Sequence, residues 1–291
     1  MIYTRLKGRL GNNLFQIAAA ASLARQHNDD FCIVVPDLLI DKGISTSEDE
    51  IRSLQKSIFR KVGVIQSMPS DCALYHEQAF AYQPIPYTPN MAISGYFQSE
   101  KYFDRDLVKE LFAIDDETKS YIETKYGALL AKKPTSIHIR RGDYLSNLDF
   151  HPICSLIYFK NAMRLIGSKT PFLIVTNDIA WCKKRFRGEN IYFTEQESAV
   201  VDLYLQSMCA NNIISNSSFS WWGAWLNNHP TKKVISPKPW FGISATQIDD
   251  SDLIPGDWIA LENRMSLFLR IFAKFRKMKR DIYQRYWQKL G

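Results

Sequence analysis

The hydrophobic positions of this chain change period along its length. MIYTRL (1–6) alternates apolar and polar residues, as a half-buried strand does. GRLGNN reads as a glycine-punctuated turn, and LFQIAAAASLARQH carries a small-residue face suited to close packing on a sheet. FCIVVP (31–36) predicts a second strand, which completes a β–loop–α–β opening. Rhythm is lost over roughly 40–95, where Pro69, Pro84, Pro86 and Pro89 interrupt it. MAISGYFQ (91–98) predicts a strand and SEKYFDRDLVKELF (99–112) a helix with Ser99 at its N-cap.

From about 133 the alternation is regular. PTSIHIR, PFLIVTND, NIYFT, NNIISN and KKVISP predict strands. CSLIYFKNAMRLIG, IAWCKKRF, SAVVDLYLQSMCA and SSFSWWGAWLNN predict the helices between them. These strands are solid apolar runs, the pattern of a parallel sheet covered on both faces. Two α/β units are therefore expected, at about 1–130 and 131–260, followed by a distinct segment at 261–291.

Open parallel sheets bind ligands beyond the carboxyl ends of their strands. SIHIRRGDYLS (136–146) puts His138, Arg140, Arg141 and Asp143 at such an end, where charges are costly unless paired. FLIVTND adds Asp178, and IISNSSF adds Ser215, Asn216, Ser217 and Ser218. A guanidinium is a planar fork of donors suited to a diphosphate. The SNSSFS turn leads into a helix whose first N–H groups, with the hydroxyls of Ser217 and Ser218, suit an anion. The Asp178 carboxylate offers an acceptor for the N1–H and exocyclic amine of a guanine. No paired acidic motif of metal type is present, so cationic side chains would have to stabilise a leaving group. Structural alternatives stand beside each assignment. Arg140 and Asp143 also suit an internal ion pair closing a loop. Arg141 suits a loop brace, Asp178 a helix N-cap, and Trp221, Trp222 and Trp225 core packing. Glu195 and Asp202 are further acids in the second half, and none of the acids is singled out as a general base.

Composition changes this picture only in its second half. With 291 residues, 46% hydrophobic and 23% charged, the chain is of globular type. Cys32, Cys72, Cys154, Cys182 and Cys209 show no CxxC or metal spacing, and no secretory segment opens the chain, so free thiols and a cytoplasmic location are expected. The run IAAAASLA is too short to span a bilayer. The net charge of +7 is uneven: residues 264–291 carry nine Lys/Arg and one acid, which leaves the first 263 near −1. The body has no basic–aromatic platform, so nucleic acid is not an expected partner. The tail forms an amphipathic helix with Phe268, Ile271, Phe272, Phe275, Met278, Ile282 and Tyr286 on one stripe. Arg270, Lys274, Lys277, Gln284 and Gln288 fall on the other face. Two readings stay open: peripheral contact with an anionic membrane through residues 264–290, or a helix that packs its stripe on the body.

GRLGNNLFQIAAA (8–20), HIRRGDY (138–144), LYLQSMCANNIISN, SNSSFSWWGAWL (215–226) and SPKPWF (236–241) together resemble the α-1,2-fucosyltransferases of glycosyltransferase family 11. The motifs run in the family's order over roughly 5–242, with a divergent middle. The resemblance implies a GT-B fold, two Rossmann-like domains facing a cleft, with the basic amphipathic helix appended. It implies GDP-β-L-fucose as donor, a galactose-terminated glycan as acceptor, inversion to an α-fucoside, and no cofactor or metal. By the same resemblance Arg140 contacts the β-phosphate, His138 lies by the nucleoside and Asp178 holds guanine. Ser217, Ser218 and Phe219 hold phosphate. Asn12, with Arg9 or Gln16, faces the reacting sugar, and Asp143 orients Arg140. The family more often has Gln where Asn13 stands, and the amide is kept. A fucosyltransferase of another linkage and a non-catalytic nucleotide- or glycan-binding protein are the alternatives.

Overall fold

The computed structural model describes residues 1–35 and 46–288, the side chains of 283–288 excepted. Pro36 of the predicted second strand lies outside the described residues, as do the side chains of Gln284, Tyr286 and Gln288 in the predicted tail. The chain forms two compact units. The first comprises Met1–Gly127, Ser198–Leu205 and Asp249–Pro255, and the second Ala128–Glu197, Gln206–Ile248 and Gly256–Gly291. The units are thus not contiguous stretches. Tyr204 donates its hydroxyl to the Phe112 carbonyl at 3.0 Å, and Asp252 accepts from the Tyr82 N–H and pairs with Lys101. These bonds draw 198–205, with Asp202, and 249–255 into the first unit.

The first unit holds β1 (Ile2–Arg5), α1 (Leu10–Gln26), β2 (Phe31–Val34), α2 (Glu48–Leu54), β3 (Gly63–Ile65), β4 (Ala73–His76), β5 (Met91–Ser94), α3 (Arg105–Leu111) and most of α4 (Asp116–Leu130). Its sheet is parallel in the order β3-β2-β1-β5-β4. The small-residue face of α1 is buried through Ala18, Ala19 and Ala20. Two expectations are corrected here. GRLGNN is a turn only to Arg9; α1 begins at Leu10, so Asn12 and Asn13 sit in a helix. Gly8, at φ +76°, makes the reversal that lets the helix start so early. Residues 99–112 are not one helix. Ser99 caps a 3₁₀ turn, Glu100–Tyr102, and Asp104 caps α3 separately, its carboxylate accepting from the Asp106 and Leu107 N–H groups.

In the second unit β6 (Thr135–Ile139), α5 (Leu156–Ile166), β7 (Phe172–Thr176), α6 (Ile179–Arg185) and β8 (Ile191–Phe193) alternate as the sequence predicts. The unit continues through the end of α7 (Ala199–Ser207), β9 (Asn211–Ile213), α8 (Ser218–Trp225), β10 (Val234–Lys238), β11 (Ile259–Glu262) and α9 (Leu267–Gln288). This sheet is also parallel, ordered β11-β10-β9-β6-β7-β8, with β6 buried along its whole length between β7 and β9. Trp221, Trp222 and Trp225 are fully buried and pack edge-on and stacked on one another, so they are core. All five cysteines are free thiols.

Candidate active site

Parallel pairing sets three strand ends on one edge. Ile139 of β6 stands opposite Thr176 of β7, and Ile137 of β6 opposite Ile213 of β9. The residues that follow are Arg140 to Asp143, Asn177 and Asp178, and Ser215 to Ser218, so the sequence-predicted groups of the second unit do converge.

The two arginines part company at this edge. Arg140 is about one-third exposed and lies side-on to Asp143, with Nε 2.9 Å from Oδ1 and an Nη2–H donated to Oδ2 at 2.9 Å. Its guanidinium also stands 5.8 Å from the Tyr144 ring centre. Arg141 turns inward, with Nε donated to Asp178 Oδ2 at 3.2 Å and its guanidinium 4.0 Å from the Trp181 ring centre. Its backbone N–H donates to Asn177 Oδ1 at 3.0 Å. Arg141 is thus a loop brace. Gly142 lies so close to Asn177 that a Cβ there would stand 2.6 Å from the amide nitrogen, which explains glycine at the turn. Asp178 serves two protein partners: Oδ2 pairs with Arg141, and Oδ1 caps α6 by accepting from the Trp181 N–H at 3.2 Å.

His138 is buried, its Nδ1 2.8 Å from Ser215 Oγ and its ring 5.4 Å from that of Phe219. Burial, aided by the Arg140 charge, pushes its pKa down to about 3, so the ring is neutral. Ser217 is the N-cap of α8 in extended backbone (φ −133°, ψ 126°), yet its hydroxyl makes no capping bond. The Tyr144 phenol stands beside this turn. That phenol donates to the Asn216 carbonyl at 2.9 Å, and burial raises its pKa. Asn216 in turn donates to the Trp240 carbonyl at 3.0 Å. Ser218 and Phe219, the first residues of α8, are half-buried. The Ser-rich turn is therefore held from behind, with the positive end of the helix beyond it.

Asn177 and Tyr144 are not singled out by the sequence. Each lies inside a segment already quoted. Their roles come from tertiary bonds that no local pattern encodes.

Asn12 belongs to the first unit, in the first turn of α1, and its Oδ1 accepts from Gln98 at 2.9 Å. Around it lie Gln16, bonded to the Lys7 backbone and the Gly95 carbonyl, and Lys7, whose Nζ donates to Ser94 Oγ at 2.9 Å. Arg9 reaches Glu50 on the exposed side. Glu77, unremarked in the sequence, accepts from the Tyr96 and Phe97 N–H groups at 2.7 and 2.9 Å. Burial raises its pKa against those bonds. A second polar cluster thus forms at the carboxyl ends of β1, β4 and β5.

In the second unit the arrangement combines a guanidinium fork, a helix start and a strand-end carboxylate, which is the inventory for a nucleoside diphosphate. Among the described residues no group of three or more His, Cys, Asp or Glu side chains is spaced to hold a metal.

A family model described as glycosyl transferase family 11 matches residues 1–261. The α-1,2-colitosyltransferase of Escherichia coli is 28% identical, over 90% of this chain and 99% of its own length. The O-antigen biosynthesis glycosyltransferase WbnK of Escherichia coli is 34% identical over 57% of this chain, and the match spans 59% of that protein. Among solved structures, fucosyltransferase NodZ from Bradyrhizobium superposes with a TM-score of 0.50 at 13% identity, covering 76% of this chain and 91% of that one. At that identity the likeness is one of fold. With the family model spanning both sheets and every motif of the candidate site, the chain belongs to glycosyl transferase family 11 and is a glycosyltransferase.

Proposed function

We propose that this protein transfers L-fucose from GDP-β-L-fucose to the 2-hydroxyl of a terminal β-galactose, inverting the anomeric carbon in a GT-B architecture without a metal. The convergence of Arg140, Asp178 and the first turn of α8 on one sheet edge is the observation that carries this reading. Membership of family 11 supports it, as do relatives named galactoside 2-α-L-fucosyltransferases, one of them from Caenorhabditis elegans at 25% identity over 79% of this chain.

Breaking the sugar C1–O bond leaves negative charge on the β-phosphate. Arg140 and the α8 start receive that charge in this proposal, and fixed donors of this kind typically contribute about 100- to 1000-fold in rate. One Nη2–H donates to Asp143 Oδ2 and Nε stands 2.9 Å from Oδ1, so Asp143 orients the fork while the remaining N–H groups are left to bind phosphate. Asp178 contacts guanine while still capping α6, because a carboxylate accepts about four hydrogen bonds. His138, neutral and held by Ser215, shapes the floor near the nucleoside. Ser217, Ser218 and Phe219 line the phosphate side. In the first unit, Asn12 presents its amide to the acceptor.

The relative matched over 99% of its own length is a colitosyltransferase, which supports a second reading in which the donor is GDP-L-colitose, whose sugar lacks the 3-hydroxyl of fucose. A donor-by-acceptor screen with GDP release as readout, run with and without EDTA, tests both. The proposal expects GDP-fucose to be preferred, an α-1,2 product by linkage analysis, and no loss of rate in EDTA. A preference for GDP-colitose establishes the second reading, and nucleotide binding without turnover on any galactose-terminated acceptor contradicts both.

A further inference from the structure

Helix α9 meets the body with the face opposite to its apolar stripe. At 100° per residue, Leu269, Ala273, Arg276, Lys277 and Arg280 share one side. Ala273 is buried against Leu148 and Ile153. Arg280 donates to Asn147 Oδ1 at 2.8 Å and pairs with Asp149 Oδ2 at 3.2 Å, and Asp149 is fully buried. Lys277 donates to the Ile243 carbonyl at 3.0 Å. A buried carboxylate held by arginines of the helix fixes which face turns inward, because removing either partner strands a charge. The stripe is left outside: Phe268 is 75% exposed, Ile271 57%, Phe275 56% and Ile282 60%. Packing the stripe on the body, the second alternative that the sequence leaves open, is therefore not what this helix does.

Aligned apolar side chains of this size on a surface mark an interaction site. Charge selects the occupant. Arg270 and Lys274 border the stripe on one flank and Lys279 on the other, where cationic side chains reach lipid headgroups while their stems stay apolar. Beneath the Arg270–Lys274 flank lies a cavity of about 910 Å³ whose lining also holds Lys238 and Arg264, against a single acid, Glu262. A second copy of the chain would bring two segments of net +8 together, whereas an anionic surface neutralises them. Among the described residues no helix is long and apolar enough to cross a membrane.

We propose that α9 seats the protein on an anionic lipid bilayer, apolar stripe in the interface and cationic flanks among the headgroups. This does not depend on which sugar is transferred. The test is co-sedimentation of the full chain with vesicles of about three parts phosphatidylglycerol to seven of phosphatidylcholine, against phosphatidylcholine alone. The wild type should partition at least about tenfold better onto the anionic vesicles, less so in high salt. The exposed triple variant Phe268→Ser/Ile271→Ser/Phe275→Ser should lose that binding with its circular dichroism unchanged. Arg270→Glu/Lys274→Glu should lose the preference for anionic lipid. Wild type that ignores both vesicles, or triple-variant binding equal to wild type, overturns the proposal. So does a wild-type dimer that the triple variant abolishes without any vesicle binding, which assigns the face to a second copy.

Discussion

At the residue scale, the adjacent arginines Arg140 and Arg141 make opposite expectations. Arg140 is partly exposed and touches only loop groups, so Arg140→Ala should leave the unfolding midpoint unchanged. Its kcat/KM should fall about 100- to 1000-fold, as for a lost electrostatic donor. Arg140→Lys should be nearly as poor, since a point charge does not reproduce the fork. Steady-state GDP release and a urea melt check both variants. Arg141→Ala should instead lose about 1–3 kcal/mol of stability in urea, because it removes the Trp181 stack and strips Asp178 of its cation. The sequence announces that two cations follow β6. It does not say which turns inward, because side-chain alternation ends with the strand and the loop is steered by Asn177 and the small profile of Gly142. Asp178 shows the same limit. A carboxylate after a strand suits both a cap and a ligand, and here it already serves as cap and ion-pair partner.

At the element scale, what the sequence exposes is the central parallel strands. β6, β7 and β9 are buried on both faces, and the apolar run FLIVT of β7 is legible without context. β4 and β11 are not legible for the converse reason, being largely exposed strands at sheet edges, and β3 is an edge strand of only three residues. The break between the 3₁₀ turn and α3 was hidden because Asp104 reads equally well as a polar surface position. The early start of α1 depends on Gly8. Gly8→Ala should cost about 1–3 kcal/mol, through a left-handed backbone and a clash with the Asn12 side chain, and should disturb the first turn that carries Asn12. Chemical denaturation with matched amide exchange across residues 8–16 checks it. In α9 the amphipathic pattern was legible, but the face turned to the body was not, because the buried carboxylate that decides it, Asp149, lies more than a hundred residues earlier.

At the scale of the whole molecule, two histidines tie stability to pH. Burial pushes His138 down to about 3 and His151 to about 4, from an ordinary value of 6.5. Both rings stay neutral in the fold while the unfolded chain takes up protons near 6.5. Stability is therefore full above that pH and falls as pH drops toward 4, by up to about 1.4 kcal/mol per unit for each ring. Urea unfolding at pH 7 and pH 5 should differ by about 3–4 kcal/mol from this pair, and His138→Gln should remove about half of that difference. The division into two units was legible in the rhythm of strands and helices. The exchange of 198–205 and 249–255 into the first unit was not, since it rests on bonds such as that from Tyr204 to the Phe112 carbonyl.

The central claim is that the carboxyl edge of β6, β7 and β9 holds the donor diphosphate. A crystal structure with GDP tests it most directly. The expected map shows the β-phosphate between the Arg140 guanidinium and the first turn of α8, with guanine at Asp178. A nucleotide bound elsewhere, with Arg140 still closed side-on against Asp143, contradicts it.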